Sequence, residues 1–293
     1  MTDPPAGDEI AAIPTARPIA LARPIPMADA PIPAVSHAPM LLEGATRGEA
    51  AVSLLIVIIA GIVATTVGQI LMMVFLPPVT GDAMGWRLVG LKAVDSALAC
   101  LALSLVMRRH RVSAEAFGIH AKRLATQFGL GLLTLTANYA YMIATIPLFF
   151  LFMYFFPQLM EDLRDRAEFG SLLPLDNLLL TVILLTFVVI HEELIFRGLM
   201  LPLLRRFFGS WWLAVAISSL IFGGLHIAQG VTGVIQVTGL GVVFSIAFLK
   251  SRSLLAVMVA HFAFNFLQFQ LMRWQLQFQK SFPDFAAICG WLG

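Results

Sequence analysis

The octapeptide HEELIFRG occupies residues 191–198 and follows an almost uninterrupted apolar run, LLLTVILLTFVVI. Its ionisable side chains are those of His191, of two adjacent glutamates, Glu192 and Glu193, and of Arg197. Ionisable residues are costly inside a membrane-spanning helix, and those that occur there usually serve a function. A carboxylate in such a place could act as a general base that removes a proton from water. The octapeptide is therefore the first candidate for a catalytic site.

Helical geometry separates the two glutamates. Glu193 and Arg197 are four residues apart, a spacing that places them on one face and favours an ion pair. Glu192 lies about 140° around the helix from Arg197, because each residue turns the helix by about 100°. The spacing predicts that Arg197 holds Glu193, which leaves Glu192 available for chemistry.

Two further apolar stretches each contribute a pair of residues spaced four apart, and each pair includes a histidine. His226 follows Phe222 by four residues, and Asn265 follows His261 by four residues. His261 and Asn265 could donate hydrogen bonds to an oxyanion that develops on a carbonyl oxygen. His226 could hold the attacking water against Glu192, or it could bind a metal. The pattern indicates hydrolysis at a carbonyl by an activated water, since the chain has no Gly-x-Ser-x-Gly nucleophile motif.

Each of these residues also has a structural interpretation. A single His or Asn in a membrane helix often forms a hydrogen bond to a neighbouring helix, and a Glu–Arg pair at a helix end is often structural. Lys92 and Asp95, three residues apart, are best interpreted as a pair whose charges satisfy each other. The three motifs together favour a functional site, because each central charge costs about 2.5–3.5 kcal/mol on insertion.

Two other functional classes fit the sequence less well. A zinc helix of the form His-Glu-x-x-His would need histidine at position 195, which is Ile195. A transporter would be expected to show an inverted repeat with matching interrupted helices, and no such repeat is visible. A non-enzymatic binding or immunity protein on the same scaffold remains an alternative.

The composition indicates a polytopic membrane protein. Hydrophobic residues make up 59% and charged residues 12% of the chain, whereas soluble domains carry roughly 25% charged residues. The net charge of +2 gives no reason to expect a nucleic-acid partner. We predict an all-α bundle of about seven transmembrane helices, or eight if the third segment is divided. The segments are 51–76, 87–107, 126–156, 175–200, 210–228, 232–249 and 254–274.

The loop charges predict the orientation of the bundle. Lys and Arg are concentrated in the loops at 108–125, 197–209 and 250–253. These loops lie on one side if the N-terminus is cytoplasmic, as the excess of positive charge in cytoplasmic loops requires. The sequence therefore predicts a protein of the plasma membrane with a cytoplasmic N-terminus.

The two ends of the chain differ from the bundle in composition. Residues 1–46 hold nine of the sixteen prolines, among many alanines, and are expected to be disordered. The domain boundary is therefore placed between this tail and a transmembrane domain at 47–293. The glutamine-rich aromatic end, 275–293, has the composition of a segment at the membrane interface, and a frayed helix end with some apolar residues is the alternative.

The three motifs together carry a family resemblance. Glu192-Glu193-x3-Arg197, Phe222-x3-His226 and His261-x3-Asn265, in this order on successive apolar stretches, resemble the signature of the CPBP family. That family comprises CAAX prenyl proteases and bacteriocin-processing enzymes and is also called abortive-infection-like. The resemblance covers about 175–270.

The resemblance implies an intramembrane endopeptidase that acts on a membrane-associated peptide or protein. It implies that residues matching Glu192 and His226 activate water, that His261 and Asn265 form the oxyanion site, and that Glu193, Arg197 and Phe222 support them. Members are often described as metalloproteases. A divalent ion such as zinc, held by Glu192, His226 and His261, and a metal-free activated water both stay open.

The predicted topology places His226 near the far end of its segment, away from Glu192. The linker 223–233 is rich in glycine, and irregular backbone is tolerated at membrane depth where it lines a cavity. We therefore predict a helix break near 227–233 that brings His226 to the site.

Overall fold

The computed structural model describes residues 45–58, 61, 82–119, 123–157 and 173–281. Regular structure in these ranges is entirely helical, which confirms the all-α fold class. We number the α-helices in chain order. They are α1 (47–58), α2 (Asp82–His110), α3 (Leu124–Phe155), α4 (Leu178–Glu193), α5 (Leu201–Phe208), α6 (Trp211–Gly224), α7 (Gly230–Ser251) and α8 (Leu254–Ser281).

Five helical stretches among the described residues are long and apolar enough to cross a membrane. They belong to α2, α3, the continuous stretch from α4 through α5, α7 and α8, and the longest has 32 residues. Because a bilayer core needs about 20 apolar residues in a helix, these stretches make the chain a polytopic helical bundle. The length and apolar composition of these helices indicate an integral membrane protein.

The helix bounds correct two details of the predicted segments. The fifth predicted segment, 210–228, is a helix of only 14 residues, α6, which is shorter than a membrane crossing requires. The third, 126–156, is one helix that continues through Pro147, so the eight-helix alternative does not arise from its division. Most of the first segment, 51–76, lies outside the described residues, as do the N-terminal tail up to residue 44 and residues 282–293.

The start of α1 is fixed by a reciprocal pair of hydrogen bonds. The Thr46 hydroxyl accepts from the Glu49 backbone N–H at 3.2 Å, and the Glu49 carboxylate accepts from the Thr46 backbone N–H at 2.8 Å. This capping box satisfies backbone donors that would otherwise lack partners. The Thr46 backbone N–H, and then its hydroxyl, lower the pKa of Glu49. The Arg206 side chain also donates to the Ala45 carbonyl, which links α5 to this end of α1.

Polar side chains join α2 to its neighbours. The Ser96 hydroxyl on α2 is 2.6 Å from the Phe187 carbonyl on α4, and Ser53 on α1 is 3.2 Å from Nε2 of His110 at the end of α2. Lys92 and Asp95 form the ion pair that their spacing predicted, with Nζ and Oδ2 2.9 Å apart. Helix α2 is therefore bonded to both α1 and α4.

Helices α6 and α7 approach closely at Gly223. A Cβ on Gly223 would collide with the Thr238 hydroxyl and would lie 2.8 Å from the Val234 carbonyl oxygen. The neighbouring Gly224 has no heavy atom within 4 Å of its Cβ position. The two adjacent glycines therefore differ in packing while sharing one helix.

We expect Gly223→Ala to destabilise the protein by about 1–3 kcal/mol, because overpacking a tight contact forces the helices apart. Gly224→Ala is the matched control, and it should leave the melting temperature of the detergent-purified protein unchanged or slightly higher, since Ala favours helix over Gly. Equal melting temperatures for the two variants would contradict the close packing of α6 on α7.

Candidate active site

A π-helical segment, Leu194–Met200, follows α4 directly after the two glutamates. Pro202, in the first turn of α5, has no backbone N–H and crowds the carbonyl four residues before it, so the regular α-helical hydrogen bonds cannot pass this point. Single π-helical turns are common at functional sites because they change which side chains face a neighbouring helix. The candidate catalytic residues therefore lie at the junction of an α-helix and a wider turn.

Glu193 and Arg197 form the ion pair expected from their spacing. Nη1 of Arg197 is 2.9 Å from Oε1 of Glu193, and the side chains are 1% and 0% exposed. Arg197 also donates from Nη2 to the Gly241 carbonyl at 3.3 Å. Its guanidinium lies 4.7 Å from the centre of the Phe222 ring and 5.2 Å from that of Phe244. The arginine thus joins the π-helical segment to α6 and α7 in the protein interior.

His261 lies between the two glutamates. Its Nδ1 is 2.6 Å from Oε1 of Glu193, and its Nε2 is 3.6 Å from Oε2 of Glu192. Since an ionised carboxylate only accepts hydrogen bonds, Nδ1 carries the proton in the bond to Glu193. The Phe244 ring lies against the imidazole with centroids 4.8 Å apart. Glu193 therefore fixes the orientation of His261, and Nε2 is the ring nitrogen that faces Glu192.

Glu192 differs from Glu193 in its surroundings. Its side chain is 18% exposed, and its Oε2 has no hydrogen-bond partner among the described residues. Glu193 is fully buried and accepts from both Arg197 and His261. Two adjacent carboxylates thus have different environments, one committed to structure and one available to a bound molecule.

His226 lies just after α6, where the helix is broken. Its Nδ1 donates to the Phe222 carbonyl at 2.8 Å, which leaves Nε2 as the acceptor nitrogen of the ring. The Phe222 ring lies 4.9 Å from the His226 ring and 6.1 Å from the His261 ring, centroid to centroid. Phe222 therefore separates and positions the two imidazoles, and it also contacts Arg197.

The predicted break between α6 and α7 is confirmed, and it begins slightly earlier in the chain than predicted. It comprises a turn at 225–226 and a 3₁₀ helix, Ile227–Gln229, whereas the predicted range was 227–233. Helix α7 begins at Gly230, which has a φ of 76° that glycine tolerates and other residues rarely adopt. The glycines at 223 and 233 are helical, and Gly223 serves close packing rather than the break.

Asn265 lies on α8, one turn beyond His261, and is half-buried. Four residues in an α-helix bring both side chains to the same face. The structure therefore brings Glu192, Glu193, Arg197, Phe222 and His261 into one cluster, sets His226 against the Phe222 ring, and carries Asn265 on the same helix face as His261.

The proposed metal ligands do not form a metal-binding group. Among the residues that the structure describes, no three or more His, Cys, Asp or Glu side chains are grouped as a metal ion would require. Nδ1 and Nε2 of His261 both face carboxylates, and Nδ1 is bonded to Glu193. The donor set of Glu192, His226 and His261 therefore does not fit a bound ion, and we derive no step through one.

Sequence reasoning missed two features of the site. The bond between His261 and Glu193 joins residues that are 68 positions apart, and no spacing rule predicts it. The π-helical segment was also missed, although Pro202 within an otherwise helical pattern is a sequence signal for irregular hydrogen bonding.

Part of the chain matches a model of a known protein family. Residues 174–267 match the model described as type II CAAX prenyl endopeptidase Rce1-like. The match begins just before α4 and ends within α8, so it includes all three motifs and leaves α1–α3 unmatched. Neither the curated proteins nor the solved structures yielded a match.

The family match supports intramembrane endopeptidase activity at the level of the family. It agrees with a bundle whose motif-bearing helices are apolar and whose ionisable cluster is buried. Residues 174–267 thus match an Rce1-like domain of the type II CAAX prenyl endopeptidase kind, which confirms the resemblance to the CPBP intramembrane proteases.

Proposed function

We propose that the protein is an intramembrane endopeptidase that hydrolyses a peptide bond of a membrane-associated substrate, with Glu192 as the general base. The observation that carries the proposal is the difference between the adjacent glutamates. Glu193 is 0% exposed and bonded through Oε1 to Arg197 and His261, so its own unpartnered Oε2 is enclosed by protein, whereas Glu192 is 18% exposed and its Oε2 has no hydrogen-bond partner among the described residues. A base must be free to take a proton, and Glu192 meets that requirement.

In the proposed reaction, Glu192 removes a proton from water while the water oxygen forms a bond to the carbonyl carbon of the peptide. His226 orients that water through Nε2, because its Nδ1 is committed to the Phe222 carbonyl. Glu192 then returns the proton to the amine nitrogen as the carbon–nitrogen bond breaks. General acid–base catalysis of this kind contributes about 10²–10⁴-fold to a rate.

The developing negative charge on the carbonyl oxygen needs hydrogen-bond donors. We assign this role to Nε2 of His261, in its doubly protonated form, and to the Asn265 side-chain amide. At 3.6 Å from Glu192, Nε2 is too distant for a hydrogen bond to that carboxylate and can donate to substrate instead. Donors that are fixed before the reaction stabilise the transition state most.

Glu193 and Arg197 act as positioning residues in this scheme. The Glu193 carboxylate orients His261, and Arg197 holds that carboxylate while also bonding to α7. Neither needs to touch substrate. Loss of either should disturb the fold before it disturbs the chemistry.

The predicted topology has consequences for the substrate. With a cytoplasmic N-terminus in the plasma membrane, Glu192 and His261 lie toward the cytoplasmic half of the bundle. The scissile bond of the substrate would then lie on that side of the membrane centre. Mapping the cleavage site of a substrate by mass spectrometry checks this orientation.

We expect His261→Ala and Asn265→Ala to lower kcat for cleavage by about 10²–10³-fold each, the usual loss when one oxyanion donor is removed. His226→Ala should lower kcat by about 10²-fold or more through loss of water orientation. The assay is cleavage of a membrane peptide by purified protein in liposomes. Thr136→Ala, on an exposed face of α3, is the control, since the Thr136 hydroxyl donates to the Leu132 carbonyl of its own helix. Unchanged cleavage by the His261→Ala protein would remove His261 from the mechanism.

A further inference from the structure

A cavity of about 380 Å³ lies between α1, α2 and the end of α4. Most of its wall is apolar, with leucine, valine and alanine side chains of α1 and α2. Four polar side chains also line it, and they come from three different helices. They are Ser53, Asp95, Arg109 and His191.

Two of these polar residues have unpaired buried atoms. Oδ1 of Asp95 and Nδ1 of His191 have no hydrogen-bond partner among the described residues, and Asp95 is only 2% exposed. Burying a polar atom in an apolar medium is unfavourable unless the atom has a hydrogen-bond partner. Ionisable residues within membrane helices almost always face the bundle interior or a water-filled cavity. The wall of this cavity therefore carries polar atoms whose hydrogen bonds water could complete.

The cavity extends from the basic end of α2 to His191 on α4. Arg109 lies in the last turn of α2 with Arg108 and His110, at the end that the loop charges place on the cytoplasmic side. Asp95 is 14 residues earlier, which corresponds to about 21 Å along the helix. His191 directly precedes Glu192 in the chain.

We infer that this cavity is an aqueous vestibule through which water reaches Glu192 from the Arg109 end, with Asp95 and His191 as its inner polar wall. The inference rests on the proposed function, since hydrolysis within a membrane consumes water that lipid does not supply. The ion pair between Lys92 and Asp95 then has a role beyond mutual neutralisation, because it keeps a charged oxygen at the inner end of the vestibule.

The chain offers a matched pair of positions for a test. Cys100 on α2 is exposed on the outside of the bundle, and Ala102, two residues later, lines the cavity. The protein is prepared with Cys289→Ser in two forms, one that keeps Cys100 and one with Cys100→Ser and Ala102→Cys. Both are reconstituted in phosphatidylcholine vesicles and treated with a charged, membrane-impermeant methanethiosulfonate. Only a thiolate reacts, and thiols in apolar surroundings stay protonated.

We expect the Ala102→Cys thiol to react at least about tenfold faster than Cys100, because hydration favours the thiolate. If the Ala102→Cys protein does not fold, Ser53→Cys on α1 gives a second reporter. It is made in the protein in which both Cys100 and Cys289 are replaced by Ser. Adding Ala102→Trp to the Ser53→Cys protein should fill the cavity and suppress its labelling. Slow labelling at both cavity positions, equal to that of Cys100, would show a dry or lipid-filled cavity and overturn the inference.

The same variants separate this inference from the proposed function. Ala102→Trp should reduce kcat for cleavage with little change in KM, since it restricts water rather than substrate. If the cavity cysteines are labelled rapidly but the protein cleaves no peptide, the vestibule inference is supported and the proposed protease function is contradicted. Full cleavage by a protein whose cavity does not label would do the reverse.

Discussion

Replacing Glu192 with Gln is expected to lower the rate of peptide cleavage by about 10²–10⁴-fold, the contribution of a general base. Gln keeps the size of the side chain but cannot take a proton from water. Because Oε2 of Glu192 has no hydrogen-bond partner among the described residues and the side chain is 18% exposed, the substitution removes no hydrogen bond that holds the cluster together. The melting temperature in detergent should therefore stay close to that of the wild type.

The matched control for this substitution is Glu115→Gln. Glu115 is an exposed carboxylate in the short 3₁₀ helix Ala114–Phe117, so the same chemical change there should leave cleavage unaffected. Cleavage is measured in liposomes under single-turnover conditions, which report the chemical step. A Glu192→Gln protein that cleaves at more than a tenth of the wild-type rate would exclude Glu192 as the base.

The neighbouring substitution, Glu193→Gln, is expected to act on stability. It removes the countercharge of a guanidinium that is 1% exposed, and breaking a buried ion pair in this way costs about 3–5 kcal/mol. The bond that orients His261 is weakened at the same time. We expect a lower yield of folded protein and a markedly lower melting temperature in detergent, even in the absence of any substrate.

A second substitution separates charge loss from contact loss. Arg197→Met in the Glu193→Gln protein removes the uncompensated charge and keeps an apolar side chain among Phe222 and Phe244. The double variant should recover much of the lost stability, because well-packed apolar residues often replace a buried ion pair at little net cost. It should stay catalytically impaired, since His261 has lost its carboxylate partner. Normal stability of Glu193→Gln alone would contradict the assigned roles of the two glutamates.

The pairing of Arg197 with Glu193 rather than Glu192 could be predicted from the sequence because it follows from local helix geometry. Residues four apart lie on the same face of a helix, so the helical period alone predicts their contact. In the structure, Nη1 of Arg197 and Oε1 of Glu193 are 2.9 Å apart. The helical class and most helix bounds could also be predicted, since bilayer thickness sets the length of apolar segments. These predictions depend on neighbours in the chain or on the solvent, and both can be inferred without the fold.

Contacts between distant helices could not be predicted in the same way. The bond from His261 to Glu193 depends on how α8 crosses the end of α4, and that crossing is set by packing over many residues. The closeness of α6 and α7 at Gly223 is a further case, because the glycines of 223–233 were interpreted as a helix break. A break does occur within this range, at 225–229, but Gly223 itself is helical and provides room for Thr238.

The domain division at residue 46, the cytoplasmic N-terminus and the catalytic assignments stay predictions. Residues 1–44 lie outside the part of the chain that the structure describes. Single cysteines introduced into loops 108–125 and 250–253 can be labelled with a membrane-impermeant thiol reagent to determine the orientation. The positive-charge rule places both loops in the cytoplasm, so neither cysteine should react when the reagent is added outside intact cells.

The central claim is that this protein cuts peptide bonds in the membrane by means of Glu192. It is tested most directly by labelling new N-termini in membranes from cells that make either the wild type or the Glu192→Gln protein at equal levels. We predict a set of new N-termini, within or beside membrane segments, that appears with the wild type and is absent with Glu192→Gln. Identical sets of N-termini in the two membranes would contradict the account.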